Sequence, residues 1–527
     1  MIQIIGLLAR FAFMVSLVGP IDPRYHTYDE VWAELDSLAL TYPSISALDT
    51  LCLSTRDSLA IPVIKISDNP TSDDDEPALL YNGQHHGEEL LGGEVALYLI
   101  NDLLARYASD TLIHRWIDET EIFIVPMLNP EGKGIVMSGL DSIWRKNKRD
   151  NNNNGSFDLD SDGVDLNRNY DFCWDSGGTS DPSSENYRGP SPFSENETRG
   201  IRDLARQNHF VFDICYHNVR TGEGELAYYP WRWGVGFCKD YPFIKKIVDT
   251  LAAKIINDAG TNTYVPIYGY ANEGTARNWL YGVCGTYAYT IEVSRTCYPP
   301  GNKVDSICMR NMPGAYYLME RVLGSGITGL ITDSVTGQPL AAEFRIESYY
   351  DSTLPPRLSD STFGRYRKLV NAGTYTVHFI ESGYVSMTFG NVVVQPGIPT
   401  VLNVKMRPLA IAESDDHQVD NGRLEAYPNP FTRKLTIKFQ IPNPPLSPFT
   451  KGGQKGEFPC LKIYDATGRL VKQFSRLSAK QFGGIQPFNQ IIWSGSDDTG
   501  RPVPAGVYFI KLEIDRQKLM DKVLLLR

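Results

Sequence analysis

The sequence predicts an α/β domain followed by two all-β sandwich domains, and three observations predict it. Up to residue 323, apolar strand-like runs alternate with amphipathic helical stretches, which is the pattern of helices packed on a sheet. From Gly324 the composition changes to short alternating strands broken by Gly and Asn turns. A polar stretch at 410–423 then sets off a final block, 424–527, of the same alternating kind. With 527 residues the chain is too long for one core, so several domains are expected.

A net charge of -11 argues against a nucleic-acid or anionic-membrane binder, which would show a basic surface. Hydrophobic content of 42% and aromatic content of 11% are those of a folded protein. Residues 1–20 are apolar with Arg10 in their midst and read as a truncated signal peptide, so a secreted or cell-surface location is expected. No other stretch approaches the ~20 apolar residues of a membrane span. The eight cysteines would permit disulfides in an exported protein; none lies in a CxxC spacing, and Cys215, inside an apolar strand, reads as a buried thiol.

In order along the chain, Val31, Leu35 and Leu38 recur at helical spacing until Pro43 stops the helix. Residues 61–67 read as a strand and 68–76 as an acidic loop. The apolar run 77–80 leads into Tyr81-Asn-Gly-Gln-His85-His-Gly-Glu88-Glu-Leu90 and then a helix from Leu91 to about Arg106. His85 and Glu88, three residues apart on a strand-to-helix turn, can point at one metal ion, with a further protein ligand and an open position for water. Strand 121–128 follows. A loop then carries Asp150-x-Asn152-x-Asn154-Gly155 and Asp158-x-Asp160-x-Asp162-Gly163, which resemble the start of a calcium loop, with Asp158, Asp160 and Asp162 as candidate ligands. No Glu stands at the twelfth position, and a solvated acidic loop is the alternative. The strand 210–217 ends in His217, which suits the missing metal ligand. Strand 286–294 buries Glu292 among β-branched and aromatic residues, which costs several kcal/mol unless the carboxylate has a partner.

His85-x-x-Glu88, Trp144-Arg145-Lys146, Asp165-Leu-Asn167-Arg168-Asn-Tyr-Asp171, His217, Tyr270 ahead of Asn278-Trp279-x-Tyr281, and Thr290-Ile-Glu292 stand in this order. Together they resemble the zinc metallocarboxypeptidases of the carboxypeptidase A/B type over residues 24–323. The resemblance implies a mixed central sheet flanked by helices, with Zn2+ on His85, Glu88 and His217. It implies that Asp165 orients His85, that Glu292 is the general base and that Arg145 stabilises the oxyanion. Asn167 and Arg168 would grip the substrate's terminal carboxylate, and Tyr270 would close over it. The implied partners are peptide or protein C-termini, and a monomer is expected.

Two departures stand out. Gly87 occupies the place, two residues after the first histidine, where many members have Arg. Tyr268 and Tyr270 are both candidates for the phenolic cap, with a gap-free match back from Trp279 favouring Tyr270. The same match puts Arg277, and a count from Tyr229-Pro230 puts Arg232, where basic-specific members carry Asp. Cations there would favour acidic C-terminal residues. The alternative is a surface arginine paired elsewhere.

Residues 324–409 resemble the transthyretin-like, or carboxypeptidase-regulatory-like, module that follows such catalytic domains. Residues 424–527, with a Pro/Gly/Ser/Lys-rich insertion at 443–459, resemble the C-terminal sorting domains of type IX secretion, which implies engagement of a bacterial secretion machinery. The rival readings are a zinc amidohydrolase acting on acyl-amino acids or cell-wall peptides, and a non-catalytic surface-binding protein.

Overall fold

The computed structural model describes residues 21–219, 222, 224–233, 236–270, 273–409, 423–440, 460–466, 468–474, 489–514 and 517–526. The expected signal segment, the 443–459 insertion and all but the last residue of the expected linker lie outside them. The chain divides into two units, 1–409 and 410–527.

The first unit opens with helix α1 (Tyr28–Thr41), started by a reciprocal capping box between Thr27 and Glu30. A nine-stranded sheet follows: β1 (Ser46–Leu53), β2 (Ala60–Ile66), β3 (Ala78–Gly83), β4 (Glu121–Val125), β5 (Phe212–His217), β6 (Leu226–Trp233), β7 (Gly236–Phe237), β8 (Val265–Tyr270) and β9 (Tyr287–Glu292). The spatial order is β1-β2-β4-β3-β5-β9-β6-β7, with β8 beside β6. The sheet is mixed. Its middle strands β4, β3, β5 and β9 run parallel; β1 and β2 pair antiparallel with their neighbours, and β6 is antiparallel to β9 and β7 but parallel to β8.

Helices α2 (Leu90–Arg106), α3 (Thr111–Glu119), α4 (Pro130–Met137), α5 (Asn196–Asn208), α6 (Tyr241–Lys254), α7 (Ala276–Trp279) and α8 (Gly301–Val322) accompany the sheet. Side chains alternate between two cores. Leu79, Tyr81, Ile122 and Ile124 join the residues of α2, α3, α6 and α8, while Ala78, Leu80, Phe123 and Val125 join those of α5 and α7. Burial on both faces is why β3, β4 and β5 read as unbroken apolar runs.

Helix α2 crosses β3 and β5 at very short range because the contact is made by glycines. A Cβ on Gly92 would lie 2.5 Å from the carbonyl oxygen of Tyr216, and one on Gly83 2.6 Å from that of Gly92. This close approach delivers the first residue before α2, Glu89, to the carboxyl ends of the central strands.

The first unit continues with β10 (Gly326–Asp333), β11 (Glu343–Ile346), β12 (Arg365–Leu369), β13 (Gly373–Ile380), β14 (Met387–Val394), β15 (Pro399–Val401) and β16 (Val404–Met406). Strands β12, β10, β15 and β16 form one sheet and β11, β13 and β14 another. Ile327, Ile331, Phe344, Val377, Phe379 and Met406 fill the core of this segment. It docks on the α/β part through polar contacts: Arg357 donates to the carbonyls of Tyr281, Gly282 and Val283, Arg365 pairs with Asp75, and Lys368 pairs with Asp240.

The second unit contains β17 (Arg423–Tyr427), β18 (Leu435–Gln440), β19 (Cys460–Asp465), β20 (Leu470–Phe474), β21 (Asn489–Trp493), β22 (Gly506–Ile514) and β23 (Gln517–Leu525). They form two sheets, β17-β18-β21 and β20-β19-β22-β23, around Leu435, Ile437, Ile463, Trp493 and Ile510. The seven cysteines at 52, 173, 215, 238, 284, 297 and 308 are free thiols, so no disulfide joins them. Among the described residues no helix is long and apolar enough to cross a membrane.

Candidate metal and substrate site

The carboxyl ends of three neighbouring strands build the site. Gly83 at the end of β3 pairs with Tyr216, and His217 at the end of β5 pairs with Glu292 at the end of β9. After β3 the chain turns sharply at Gln84, which takes φ 57°. Consecutive histidines then face opposite ways. His85 points back into the sheet, where its Nδ1 lies 3.2 Å from Cys215 Sγ and its Nε2 3.0 Å from the Tyr170 hydroxyl. His86 points outward, its Nδ1 2.7 Å from Glu89 Oε1. The second Glu89 oxygen lies 2.7 Å from His217 Nδ1.

The metal-competent frame is therefore one residue later than the expected one. The structure gathers the ligand atoms of His86, Glu89 and His217 within 4.8 Å of one another, and Glu88 does not join them. Asp165, expected to orient His85, accepts instead from His86 Nε2 at 3.1 Å. The position two residues after the outward-facing histidine is Glu88 rather than Gly87. The missed signal was the doubled spelling His85-His86 and Glu88-Glu89, which contains the His-x-x-Glu spacing twice.

A second group, His85, Cys215 and His217, also falls within 4.8 Å. Its chemistry is less suited to a metal. Burial pushes the Cys215 thiol well above its usual range, burial with the neighbouring imidazoles pushes His85 well below its own, and the two already face each other and Tyr170. The outward group does fit a divalent cation. Burial and the Arg145 charge oppose protonation of His86, yet Glu89 and Asp165 outweigh them and raise it to about 9. Burial lowers His217 despite Glu89, so the two imidazoles are shifted in opposite directions, and two imidazole nitrogens with a carboxylate form a zinc donor set.

His86, Glu89 and His217 open on a cavity of about 410 Å³ that is also lined by Glu88, Arg145, Asn167, Arg168, Arg277 and Glu292. Arg145 donates through Nε to Asp165 at 2.9 Å; burial opposes its charge, but Asp165, Glu88 and Glu89 keep it cationic. Asp165 also caps the 3₁₀ turn Leu166–Arg168, which presents Asn167 and Arg168 to the cavity. Asn167 accepts from the Ala276 amide at 3.0 Å and places its own amide 3.3 Å from His217 Nε2. Glu292 is raised to about 8, first by burial and then by the Glu89 charge, against the pull of His86, Arg145 and Arg277. Its Oε2 finds no hydrogen-bond partner among the described residues.

The zinc carboxypeptidase (peptidase M14) family pattern matches residues 31–314, more than half of the chain. The chain belongs to the zinc carboxypeptidase family. It is a peptide hydrolase. Carboxypeptidase B of Astacus astacus is 32% identical over 282 residues, covering 52% of this chain and 87% of that protein. Carboxypeptidase A2 of Mus musculus is 27% identical over 279 residues, and this chain spans 63% of its length. A crystal structure of thrombin-activatable fibrinolysis inhibitor, 20% identical, matches with a TM-score of 0.50 over 56% of this chain and 73% of that one, a likeness of fold.

Tyr270, Asp158, Asp160 and Asp162 of this zinc carboxypeptidase are not among the residues that line the cavity. Tyr270 ends β8 and is 56% exposed, with Tyr268 edge-on to it at 5.8 Å between ring centroids. Arg232 lies on β6 with its backbone in register with Tyr270, and its side chain is outside the described positions. The structure does not gather Asp158, Asp160 and Asp162 into a cation site. Asp162 accepts the amides of Asn151 and Asp158, and Asp158 accepts the side-chain amides of Asn152 and Asn154.

Proposed function

We propose that this zinc carboxypeptidase releases single residues from peptide C-termini, with His86, Glu89 and His217 holding zinc and Glu292 acting as general base. The observation that carries the reading is the convergence of two imidazole nitrogens and a carboxylate in a cavity whose wall also bears Glu292, Arg145 and Arg168. Zinc held there supplies Lewis acidity and lowers the pKa of water. Glu292, which lines the cavity beside the three ligands, is placed to take a proton from water and hand it to the leaving amine. Arg145, fixed by Asp165, offers a cation to the oxyanion that develops on the scissile carbonyl.

Asn167 and Arg168 are assigned the terminal carboxylate, which makes the enzyme an exopeptidase, and Tyr270, exposed at its strand end, is assigned the cap. Arg277 in the cavity wall supports a preference for acidic C-terminal residues and discrimination against Lys and Arg; Arg232 is the second candidate for that role.

We further infer export in a bacterium, with the 324–409 segment as a transthyretin-like companion and the last domain as a secretion-sorting module. For the companion, support comes from carboxypeptidase D of Mus musculus, whose alignment covers 68% of this chain, more than the α/β part can supply.

The test is a panel of blocked dipeptides differing only in the C-terminal residue, assayed with and without a zinc chelator. Chelator-sensitive release, lowered roughly 10²- to 10⁴-fold in Glu292→Gln with zinc content unchanged, is the expected result. Zinc-loaded enzyme that releases nothing from any peptide but cleaves acyl-amino acids would turn the assignment to the amidohydrolase.

A further inference from the structure

The side chain of Arg277 is only 5% exposed, and its three guanidinium nitrogens are used unevenly. Nη1 donates to Thr290 Oγ1 at 3.1 Å. Nη2 meets one oxygen of Glu273, Oε2, at 3.0 Å. Nε finds no acceptor among the described residues, although a buried donor left unpaired costs about 1–3 kcal/mol. The Tyr228 ring lies 5.5 Å from the guanidinium carbon. Gly269 makes room for the group, since a Cβ there would overlap Nη2.

Nε and Nη2 form one edge of the planar guanidinium, the edge that takes a carboxylate with both oxygens at once. Glu273 uses half of that edge. It is 30% exposed, four residues before Arg277, and lines the same cavity. Its charge also reaches Arg168, whose buried guanidinium it favours.

We propose that Glu273 is a specificity-determining residue that stands in for the substrate. Its carboxylate holds the Arg277 edge in the empty pocket, and an acidic C-terminal side chain must displace it to form the two-pronged contact. The inference rests on the carboxypeptidase reading of this cavity. It has a consequence opposite to a simple cationic pocket: the wild-type enzyme's preference for acidic residues is blunted, and removing the Glu273 charge sharpens it.

The experiment compares zinc-loaded wild type, Glu273→Gln, Arg277→Gln and the double variant on blocked dipeptides ending in Glu, Gln or Phe. Glu273→Gln should raise the ratio of kcat/KM for the Glu-ended over the Gln-ended peptide roughly tenfold, the scale of one charge-assisted hydrogen bond. The change should fall on KM rather than kcat, because displacement precedes chemistry. It should vanish in the Arg277→Gln background. An unchanged or lower ratio, or an equal rise without Arg277, would overturn the proposal. Calorimetric binding of N-acetylglutamate against N-acetylglutamine gives a readout independent of turnover, with tighter binding of the acid by Glu273→Gln expected and equal binding refuting. Failure of wild type to hydrolyse any peptide, with the binding difference intact, would refute the carboxypeptidase reading and leave the Glu273 assignment standing.

Discussion

Replacing the two adjacent histidines one at a time separates the two metal frames. His86→Ala removes an imidazole whose nitrogens face Glu89 Oε1 at 2.7 Å and Asp165 Oδ1 at 3.1 Å. It should weaken zinc by more than the roughly 10–100-fold that losing an outer partner of a ligand costs, because the ligand itself is gone. His85→Ala removes an imidazole whose nitrogens face Cys215 and Tyr170 and whose ring stacks on His217 at 5.4 Å between centroids. Two hydrogen bonds at about 1 kcal/mol each, plus the cavity left by a ring at 0% exposure, put its cost at about 2–4 kcal/mol of stability. Zinc should stay. The assay is zinc content per chain after dialysis against graded chelator, paired with denaturant unfolding of the same samples. A His85→Ala protein that loses its zinc while His86→Ala keeps it would refute the assignment and return the site to the His85/Glu88 frame.

Two further outcomes follow from the scaffold. His26 lies 2.7 Å from Glu94 and 3.0 Å from Glu34, and these carboxylates raise it from 6.5 to about 9, against burial. A group raised on folding contributes stability that is complete below pH 6.5 and is lost as pH climbs through 9. For a ring one quarter exposed this amounts to about 1–2 kcal/mol, and His26→Gln should flatten unfolding free energy over that window. A His26→Gln protein with the wild-type slope there would count against the cluster. Gly92→Ala should destabilise by about 1–3 kcal/mol, since its Cβ would sit 2.5 Å from the Tyr216 carbonyl oxygen. It should also weaken zinc by shifting Glu89; a chelator titration and thermal melt identical to wild type would refute the close-packing argument.

What the sequence made legible follows from how far each signal reaches. Apolar runs such as Ile122–Val125 declare strands buried on both faces, so the α/β layer could be read without knowing what covers them. Arg145, Asn167, Arg168, Arg277 and Glu292 were each singled out along the chain, and the fold draws them from loops and strand ends into one cavity. The metal frame was not legible, because the two overlapping His-x-x-Glu spacings offer the same two ligand types at the same separation. The left-handed turn at Gln84 decides between them, and no pattern at that position announces it. In the Asp- and Asn-rich loop the spacing is legible but the side-chain partners are not: backbone and side-chain amides of the same loop donate to Asp158 and Asp162. Glu273 and Arg277 are four residues apart in the chain, yet their meaning depends on Thr290, Tyr228 and Gly269, which lie elsewhere in sequence.

The distance between the metal centre and the base is set by sheet register rather than by anything within the site. Strands β5 and β9 are parallel neighbours paired from Phe212↔Tyr287 to His217↔Glu292, so ligand and base sit one strand spacing apart, about 4.8 Å at the backbone. Phe212, Ile214 and Tyr216 on one strand and Tyr287, Tyr289 and Ile291 on the other all enter the same apolar core. A slip of β9 by one residue would expel three large side chains from that core and turn Glu292 into it. Each of those side chains is worth roughly 1.5–3 kcal/mol in burial, so the slip is forbidden by several times the energy of any contact Glu292 makes. The aromatic and branched residues of β9, which touch no substrate, are therefore what hold the proposed base beside the proposed metal.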